Sequence, residues 1–303
     1  MKVYVTGATG FVGGHVAREL RERGGDVRDD RVELLDLPAL ERAFAGCEAV
    51  MHVAALYSYE AETRALERAN VDGTRNVLQA CLRAGVQRVV FTSTAGTCGP
   101  VSGRAATETD APPAWELGVP YKRTKLEAEQ LVLVAAHEGL DALVVNPTTP
   151  VGDGDRRPTP TGRMVGGVAT GAIRGYVATT GLNVVDVRDV ARGHALALER
   201  GKAGERYLLG GVNLPLAELF AAVARLARRA RPRVRLPYLG AAAAARLGLA
   251  NRDEVRLARL PMYFSSEKAE NQLGYRPGPV EPALARAVAE ALAPRGRARE
   301  ERR

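Results

Sequence analysis

Two hydrophobic rhythms alternate along the chain. Almost wholly apolar runs occur at residues 3–5, 32–35, 49–55, 88–94 and 142–147, and each reads as a strand. The run at 49–55 is apolar on both faces, as a covered parallel strand must be. Between these runs, apolar residues recur three and four apart. Residues 16–20 open one such helix, and Pro38 opens another through Phe44, because proline suits a first helical turn. Val71, Thr74, Val77, Leu78, Cys81 and Leu82 fall on one helical stripe. Asn70 is placed to cap that helix and Gly85 to end it. A long helix runs from Tyr121 to about His137. Strands alternating with helices predict an α/β fold, a parallel, doubly wound sheet.

One strand falls short of this scheme. After the first helix the chain runs Gly24-Gly25-Asp26-Val27-Arg28-Asp29-Asp30-Arg31, and only Val27 and Arg28 suit a second strand. Either that strand is vestigial or a segment is missing there. Beyond Pro147 the rhythm loosens. Residues 148–161 form a Pro/Gly/Thr loop, 164–173 are helical, 204–209 hold a short strand, and 216–229 and 282–292 are helices. The pattern therefore divides into a sheet unit over 1–150, with later returns around 181–210, and a smaller α-rich lobe over 151–293.

Composition narrows the class. The length of 303 residues suits one such sheet plus a companion lobe, and 46% apolar content is ordinary for a globular protein. No run is long enough to span a membrane; the most apolar, 240–250, is mostly alanine and is broken by Arg246. The first strand begins at Val3, which leaves no signal peptide. The net charge is +8, and residues 295–303 alone carry five arginines and two glutamates. No aromatic or helical recognition pattern accompanies them, so 294–303 reads as a solvated, disordered basic tail and not as a nucleic-acid site. Cys47, Cys81 and Cys98 are odd in number and widely spaced, which indicates reduced thiols and a cytoplasmic protein. His15, His52, His137 and His194 do not cluster, so no metal site is expected.

Two motifs carry chemistry. Gly7, Gly10 and Gly13 lie at G-x-x-G-x-x-G spacing between the first strand and the first helix. Gly7 permits the tight turn, Gly10 lets a pyrophosphate approach the backbone, and Gly13 lets helix and strand pack closely. The helix N-terminus adds free N–H groups and partial positive charge. Tyr121 and Lys125 lie four apart at the start of the long helix and so share one face. An ammonium beside a phenol lowers the phenol's pKa, so that it can exchange a proton with a carbinol or carbonyl oxygen. Thr94, past a central strand's C-terminal end, is placed to hydrogen-bond the same oxygen, because ligand crevices of open α/β sheets lie at that edge.

The set Thr6–Gly13, Asp36-Leu37, His52-Val53-Ala54-Ala55, Asn70-Val71-Asp72-Gly73-Thr74, Thr92-Ser93-Thr94, Tyr121-x-x-x-Lys125 and Asn146-Pro147 resembles, in order, the extended short-chain dehydrogenases/reductases. Residues 146–152, 158–163, 181–187 and Phe264-Ser265-Ser266-x-Lys268 look most like the hopanoid-associated sugar epimerases, near the dihydroflavonol 4-reductase-like branch. The resemblance implies a Rossmann-type fold whose smaller lobe takes the substrate. It implies Tyr121 as acid/base, Lys125 on the nicotinamide ribose, and Thr94 in the serine/threonine role. Gly7, Gly10, Phe11, Val12 and Gly13 would hold the pyrophosphate, Asp36 and Leu37 would border the adenine, and Val53, Ala54 and Ala55 would line the nicotinamide-side ribose. Pro147 would meet the carboxamide, and Thr9, Thr92, Ser93 and Thr149 complete the cofactor set. Asn70 is expected to fix the sheet near the cofactor. The expected cofactor is NADP, with NAD as the alternative, because the short stretch at Arg28 lacks the usual ribose-reading residue. A homodimer through a four-helix contact is also implied, built by the helices that begin at Val71 and Tyr121.

The function expected is hydride transfer between a nicotinamide and a carbinol or carbonyl carbon of a sugar-like, ketone or aldehyde substrate. An epimerase returns the hydride; a one-way NADPH-dependent reductase does not. A dinucleotide-sensing regulator without catalysis is the rival from another class.

Overall fold

The computed structural model describes residues 1–293. The basic tail expected at 294–303 lies outside them. In chain order the elements begin with β1 (Lys2–Thr6), α1 (Phe11–Glu22), β2 (Asp26–Arg28), α2 (Leu37–Phe44) and β3 (Ala49–His52). A helical run follows, made of α3 (Thr63–Leu66), a π-helical stretch (Glu67–Asp72) and α4 (Gly73–Ala84). Then come β4 (Arg88–Thr92), a 3₁₀ turn (Ala95–Thr97), α5 (Pro120–His137), β5 (Asp141–Pro147), β6 (Thr149–Val151), α6 (Pro160–Thr170), β7 (Gly175–Val177) and β8 (Gly181–Asp186). The rest comprises α7 (Val187–Arg200), β9 (Arg206–Leu209), β10 (Val212–Pro215), α8 (Leu216–Leu226), β11 (Val234–Leu236), α9 (Tyr238–Arg246), α10 (Arg252–Leu257), α11 (Glu267–Leu273) and α12 (Glu281–Leu292).

The central sheet has the order β2-β1-β3-β4-β5-β9, and every pairing in it is parallel. Strand alternation explains the two helical layers. Val3, Val5, Met51, Val90 and Val145 point to one face and bury against Val16 and Leu20 of α1 and Val190 and Leu198 of α7. Tyr4, Val50, Val89, Phe91 and Val144 point to the other and bury against Leu40 and Phe44 of α2, Val77 and Cys81 of α4, and Ala128 and Val132 of α5. The chain passes to one side of β1 for β2 and to the other for β3, so the loops after β1 and β3 part there and leave a crevice.

Several expected boundaries move. Residues 32–35 do not form a strand. Val32 and Leu34 pack instead against the α2/α4 layer, so their apolar character reflects covering that layer and not sheet pairing. The second strand is present but only three residues long, with Val27 opposite Val3. Asn70 caps no helix, because the helical run begins earlier, at Thr63, and carries Asn70 within its π-helical stretch. Gly85 does end α4, in the left-handed conformation at φ 69°. The later half also holds small sheets that its loose rhythm concealed. One is β10-β8-β6, with β10 antiparallel to β8; the other pairs β11 with β7. Val165, Val168, Phe220, Val223, Leu284 and Val288, from α6, α8 and α12, form its apolar centre. α7 and β9 leave this group and return to the central sheet. Among the described residues no helix is long and apolar enough to cross a membrane.

Candidate active site

The β1–α1 turn sets the first wall of the site. Gly7 takes φ 73°, and a Cβ there would lie 2.7 Å from the Ala54 Cα. A Cβ on Gly13 would overlap the Gly7 carbonyl, so only glycine lets α1 sit this close to the turn. Gly10 occupies the N-cap and offers no side chain, which leaves the first-turn N–H groups of α1 without a side-chain cap. The turn is tied to the loop after β3. Thr6 Oγ1 accepts hydrogen bonds from the Val53 and Ala54 amides, both at 3.2 Å, and lies 2.9 Å from His52 Nδ1. His52 Nε2 lies 3.1 Å from Thr74 Oγ1, whose hydroxyl donates to the Asn70 carbonyl. Burial, and then the Lys125 charge, lower the His52 pKa to about 3, so this ring is a neutral strut. The Asn70 side chain accepts from the Leu56 amide at 2.8 Å and donates to Leu56 O and Thr124 Oγ1. It therefore ties the loop after β3 to α5.

The second wall comes from β4, the 3₁₀ turn and α5. Pro120 starts α5, which puts Tyr121 and Lys125 on successive turns of one face. Lys125 is buried at 2% exposure; its ammonium donates to the Thr92 carbonyl at 2.7 Å and lies 4.2 Å from the Phe91 ring centre. Burial lowers its pKa to about 7, against the opposing pull of Glu129. Tyr121 is buried beside Tyr57, with ring centres 4.5 Å apart, and beside Tyr59 at 6.1 Å. Here the sequence expectation is corrected: the Tyr121 pKa is raised, by burial first and by Tyr57 second, because the Lys125 ammonium is turned to Thr92 and desolvation dominates at the phenol.

Thr94 and Ser93 follow β4. Thr94 Oγ1 accepts from the Gly96 amide at 3.3 Å. Its carbonyl is held by Asn146 Nδ2 at 3.2 Å and by Thr97 Oγ1 at 2.8 Å. Asn146 Nδ2 donates to Glu129 Oε2 at 2.8 Å, the Thr97 hydroxyl, with one proton for the two acceptors, lies 2.7 Å from the same oxygen, and Arg206 Nε faces Glu129 Oε1 at 2.9 Å. A fully buried Glu116 lies 3.2 Å from Lys122 Nζ, and burial raises its pKa to about 7 against the Lys122 charge. Ser93 Oγ is buried and has no hydrogen-bond partner among the described residues.

Gly7, Thr9, Gly10, Phe11, Val12, Gly13, Val53, Ala54, Ala55, Thr92, Ser93, Thr94, Tyr121, Lys125, Pro147 and Thr149 all line one cavity of about 1910 Å³. Asp36 and Leu37 do not line it. Asp36 is exposed and its carboxylate accepts from the Ala39 amide as the cap of α2, while Leu37 packs on the α2/α4 layer. Residues 29–35 line an adjoining cavity of about 600 Å³ in their place, because the short β2 draws this stretch across the edge of β1. A nicotinamide dinucleotide fits these donors. The glycine cradle admits a backbone approach, the uncapped helix start suits a pyrophosphate, and Ser93 Oγ is a buried polar atom in want of a partner.

Sequence reasoning missed Tyr57, Tyr59, Lys122, Glu129 and Arg206. Glu129 had a signal, since it follows Lys125 by one helical turn. Arg206 and Thr97 had none, because they reach Glu129 from 77 and 32 residues away in the chain.

The profile of the NAD dependent epimerase/dehydratase family matches residues 3–210. A Synechocystis sp. protein named "Putative dihydroflavonol 4-reductase" is 37% identical over 319 aligned positions, covering 94% of this chain and 93% of that protein. Sterol demethylase protein B of Methylococcus capsulatus is 36% identical over 256 positions, covering 78% of each. A solved nucleoside-diphosphate-sugar epimerase from Pseudomonas aeruginosa superposes with a TM-score of 0.82 at 30% identity, covering 95% of this chain and 96% of that one.

Proposed function

This chain belongs to the NAD dependent epimerase/dehydratase family, an enzyme family of the extended short-chain type, and on that premise we propose that its cleft transfers hydride between a nicotinamide and a carbinol or carbonyl carbon. The observation that carries the reading is the single cavity that joins the glycine cradle to Thr94, Tyr121 and Lys125. A nicotinamide dinucleotide, NAD or NADP, supplies or accepts the hydride. Every other task falls to this chain. The β1–α1 turn holds the pyrophosphate, and residues 1–150 with α7 and β9 carry the dinucleotide side of the cleft. Tyr121 Oη gives its proton to the substrate oxygen or takes one from it. Burial keeps that hydroxyl protonated, which suits a proton donor. Thr94 Oγ1 hydrogen-bonds the same oxygen, and Lys125 holds the ribose hydroxyls beside it.

Within this reading, the substrate is a ketone or aldehyde reduced once, or a sugar to which the hydride returns. The far part of the cavity, formed by the lobe within 151–293, is lined by Ile173, Val177, Leu182, Phe220, Met262 and Phe264, with Tyr57 and Tyr59 opposite, and also by Arg163, Arg174, Thr180, Asn251 and Glu254. The apolar side chains suit the body of a ketone or aldehyde, and the polar ones supply donors and acceptors for the hydroxyls of a sugar. Incubation with deuterium-labelled NADPH and an aryl or alicyclic ketone tests the reading. Label in the product carbinol with stoichiometric loss of NADPH supports reduction. Conversion of a sugar with no net change in the dinucleotide supports the epimerase form. No label transfer to any carbonyl together with no conversion of any sugar overturns hydride transfer.

We also place the enzyme in the cytoplasm, where its three buried thiols stay reduced. We further propose a homodimer through α4 and α5, which expose Leu82 at 62% and Val134 at 55% on their outer faces. Light scattering that finds a monomer at micromolar concentration overturns the dimer.

A further inference from the structure

Exposed apolar side chains are not spread evenly over this protein. Val234, Leu236, Leu239, Leu247 and Leu249 all fall within residues 234–249. Leu239, Leu247 and Leu249, at 80%, 77% and 78% exposure, are the most exposed large apolar side chains among the described residues. A single exposed leucine is ordinary on a globular surface, whereas a cluster marks a contact face. Local structure turns this cluster outward. α9 buries Ala241 and Ala245, so Leu239, Ala243, Arg246 and Leu247, spaced at i, i+4, i+7 and i+8, share the opposite face. β11, just before α9, is exposed at all three of its positions.

The same stretch is basic. Residues 228–249 hold Arg228, Arg229, Arg231, Arg233, Arg235 and Arg246 and no acidic residue. All six are exposed, and none pairs with a carboxylate among the described residues; Arg225, just before them, takes Glu281 at 2.9 Å. The patch also adjoins the cleft. β11 pairs with β7, whose three residues line the large cavity, and the Arg174 carbonyl accepts from the Arg233 and Val234 amides at 3.2 and 3.1 Å. Leu249 and Ala250 are exposed and line that cavity too, so they stand at its opening.

The mixture of groups selects the partner. A nucleic acid would satisfy the arginines and set its phosphates against three leucines. A second copy on the same face would bring six guanidinium groups against six, and like charges across an interface are costly. A bilayer with anionic lipids accommodates both kinds of group, because headgroup phosphates take the guanidinium groups and the acyl boundary beneath them takes the leucines. We propose that β11, α9 and the loops at either end dock this protein on the surface of an anionic lipid bilayer. Leu239, Leu247 and Leu249 enter the acyl boundary, the arginines lie on the headgroups, and the opening of the cleft faces the lipid. This surface is independent of the hydride-transfer chemistry.

Co-sedimentation of the full chain with phosphatidylcholine vesicles, with and without about 30% phosphatidylglycerol, tests the proposal. The expected result is binding at least about tenfold tighter to the anionic vesicles, weakened when salt is raised to about 0.5 M. Leu239→Gln combined with Leu247→Gln keeps every charge, yet should weaken that binding by about tenfold or more, with the melting temperature unchanged because both side chains are exposed. Arg231→Gln combined with Arg233→Gln and Arg235→Gln should weaken it by a similar factor. No binding to the anionic vesicles overturns the proposal. Binding that both variants retain also overturns it, and assigns the attraction to the net charge of the chain. If the double leucine variant lowers the oligomeric state in light scattering and leaves vesicle binding unchanged, the face belongs to a second copy and the proposal fails.

Discussion

Lys125 and Glu129 show how one helical turn sets the charge of the site. The Lys125 ammonium is buried and its pKa is lowered to about 7, with the Glu129 charge opposing that fall. Glu129→Gln removes the opposing charge, so the Lys125 pKa should drop further. The high-pH limb of a kcat/KM profile should then move to lower pH. The same change leaves Arg206, 19% exposed, facing a neutral amide, and breaking a buried pair of this kind costs about 3 kcal/mol, readable as a lower melting temperature. An unmoved profile with a lowered melting temperature would reduce Glu129 to a packing role. Tyr121 gives a sharper outcome. Tyr121→Phe keeps the ring against Tyr57 but removes the hydroxyl, so turnover should fall by about 10²–10⁴ while dinucleotide affinity holds within about threefold. Turnover surviving that substitution would move the proton elsewhere.

At the scale of elements, the close approach of α1 to the β1 turn is what the glycines provide. Gly13→Ala places a methyl group into the Gly7 carbonyl, so α1 must retreat or the turn must open. Dinucleotide binding should weaken by at least about tenfold, because the cradle and the helix start no longer converge. Gly24→Ala is the matched control. Its φ is 82° with nothing within 4 Å of the added Cβ, so it should cost about 1–2 kcal/mol of stability through left-handed backbone alone and leave binding intact. Titration with NADP+ and thermal melts of both variants separate the two effects. The helical run from Thr63 to Ala84 teaches a related point about prediction. Its start was hidden because Asn70, a good cap by residue type, spends its amide on Leu56 and Thr124 instead. A side chain's local preference yields when tertiary partners offer more hydrogen bonds.

For the whole molecule, two buried histidines couple the site to global stability. His194 lies 2.9 Å from Thr92 Oγ1 and 2.8 Å from the Val190 carbonyl, and burial lowers its pKa to about 4, as it lowers that of His52 to about 3. The unfolded chain binds protons at these residues near pH 6.5 and the folded chain does not. Their contribution is therefore complete above pH 6.5 and is lost as pH falls toward 4, by about 2 kcal/mol each at pH 5. Glu116, whose pKa is raised to about 7, takes up a proton in the folded chain over the same range and offsets about one histidine, so urea midpoints should fall only modestly between pH 7 and 5, and His194→Gln should remove most of that fall. An identical pH dependence in the variant would remove His194 from the account. The sequence alone determined the doubly wound sheet, the glycine turn and the Tyr121–Lys125 face, because each depends on local period or on spacing within one element. Tertiary structure decided the rest. Whether Val32 and Leu34 pair or merely pack depends on which layer lies above them, and the partners of Glu129 arrive from distant strands. The charge state of Tyr121 also belongs to the fold: residues four apart share a face, but burial and the pull of the Thr92 carbonyl decide where the ammonium points and how the phenol responds.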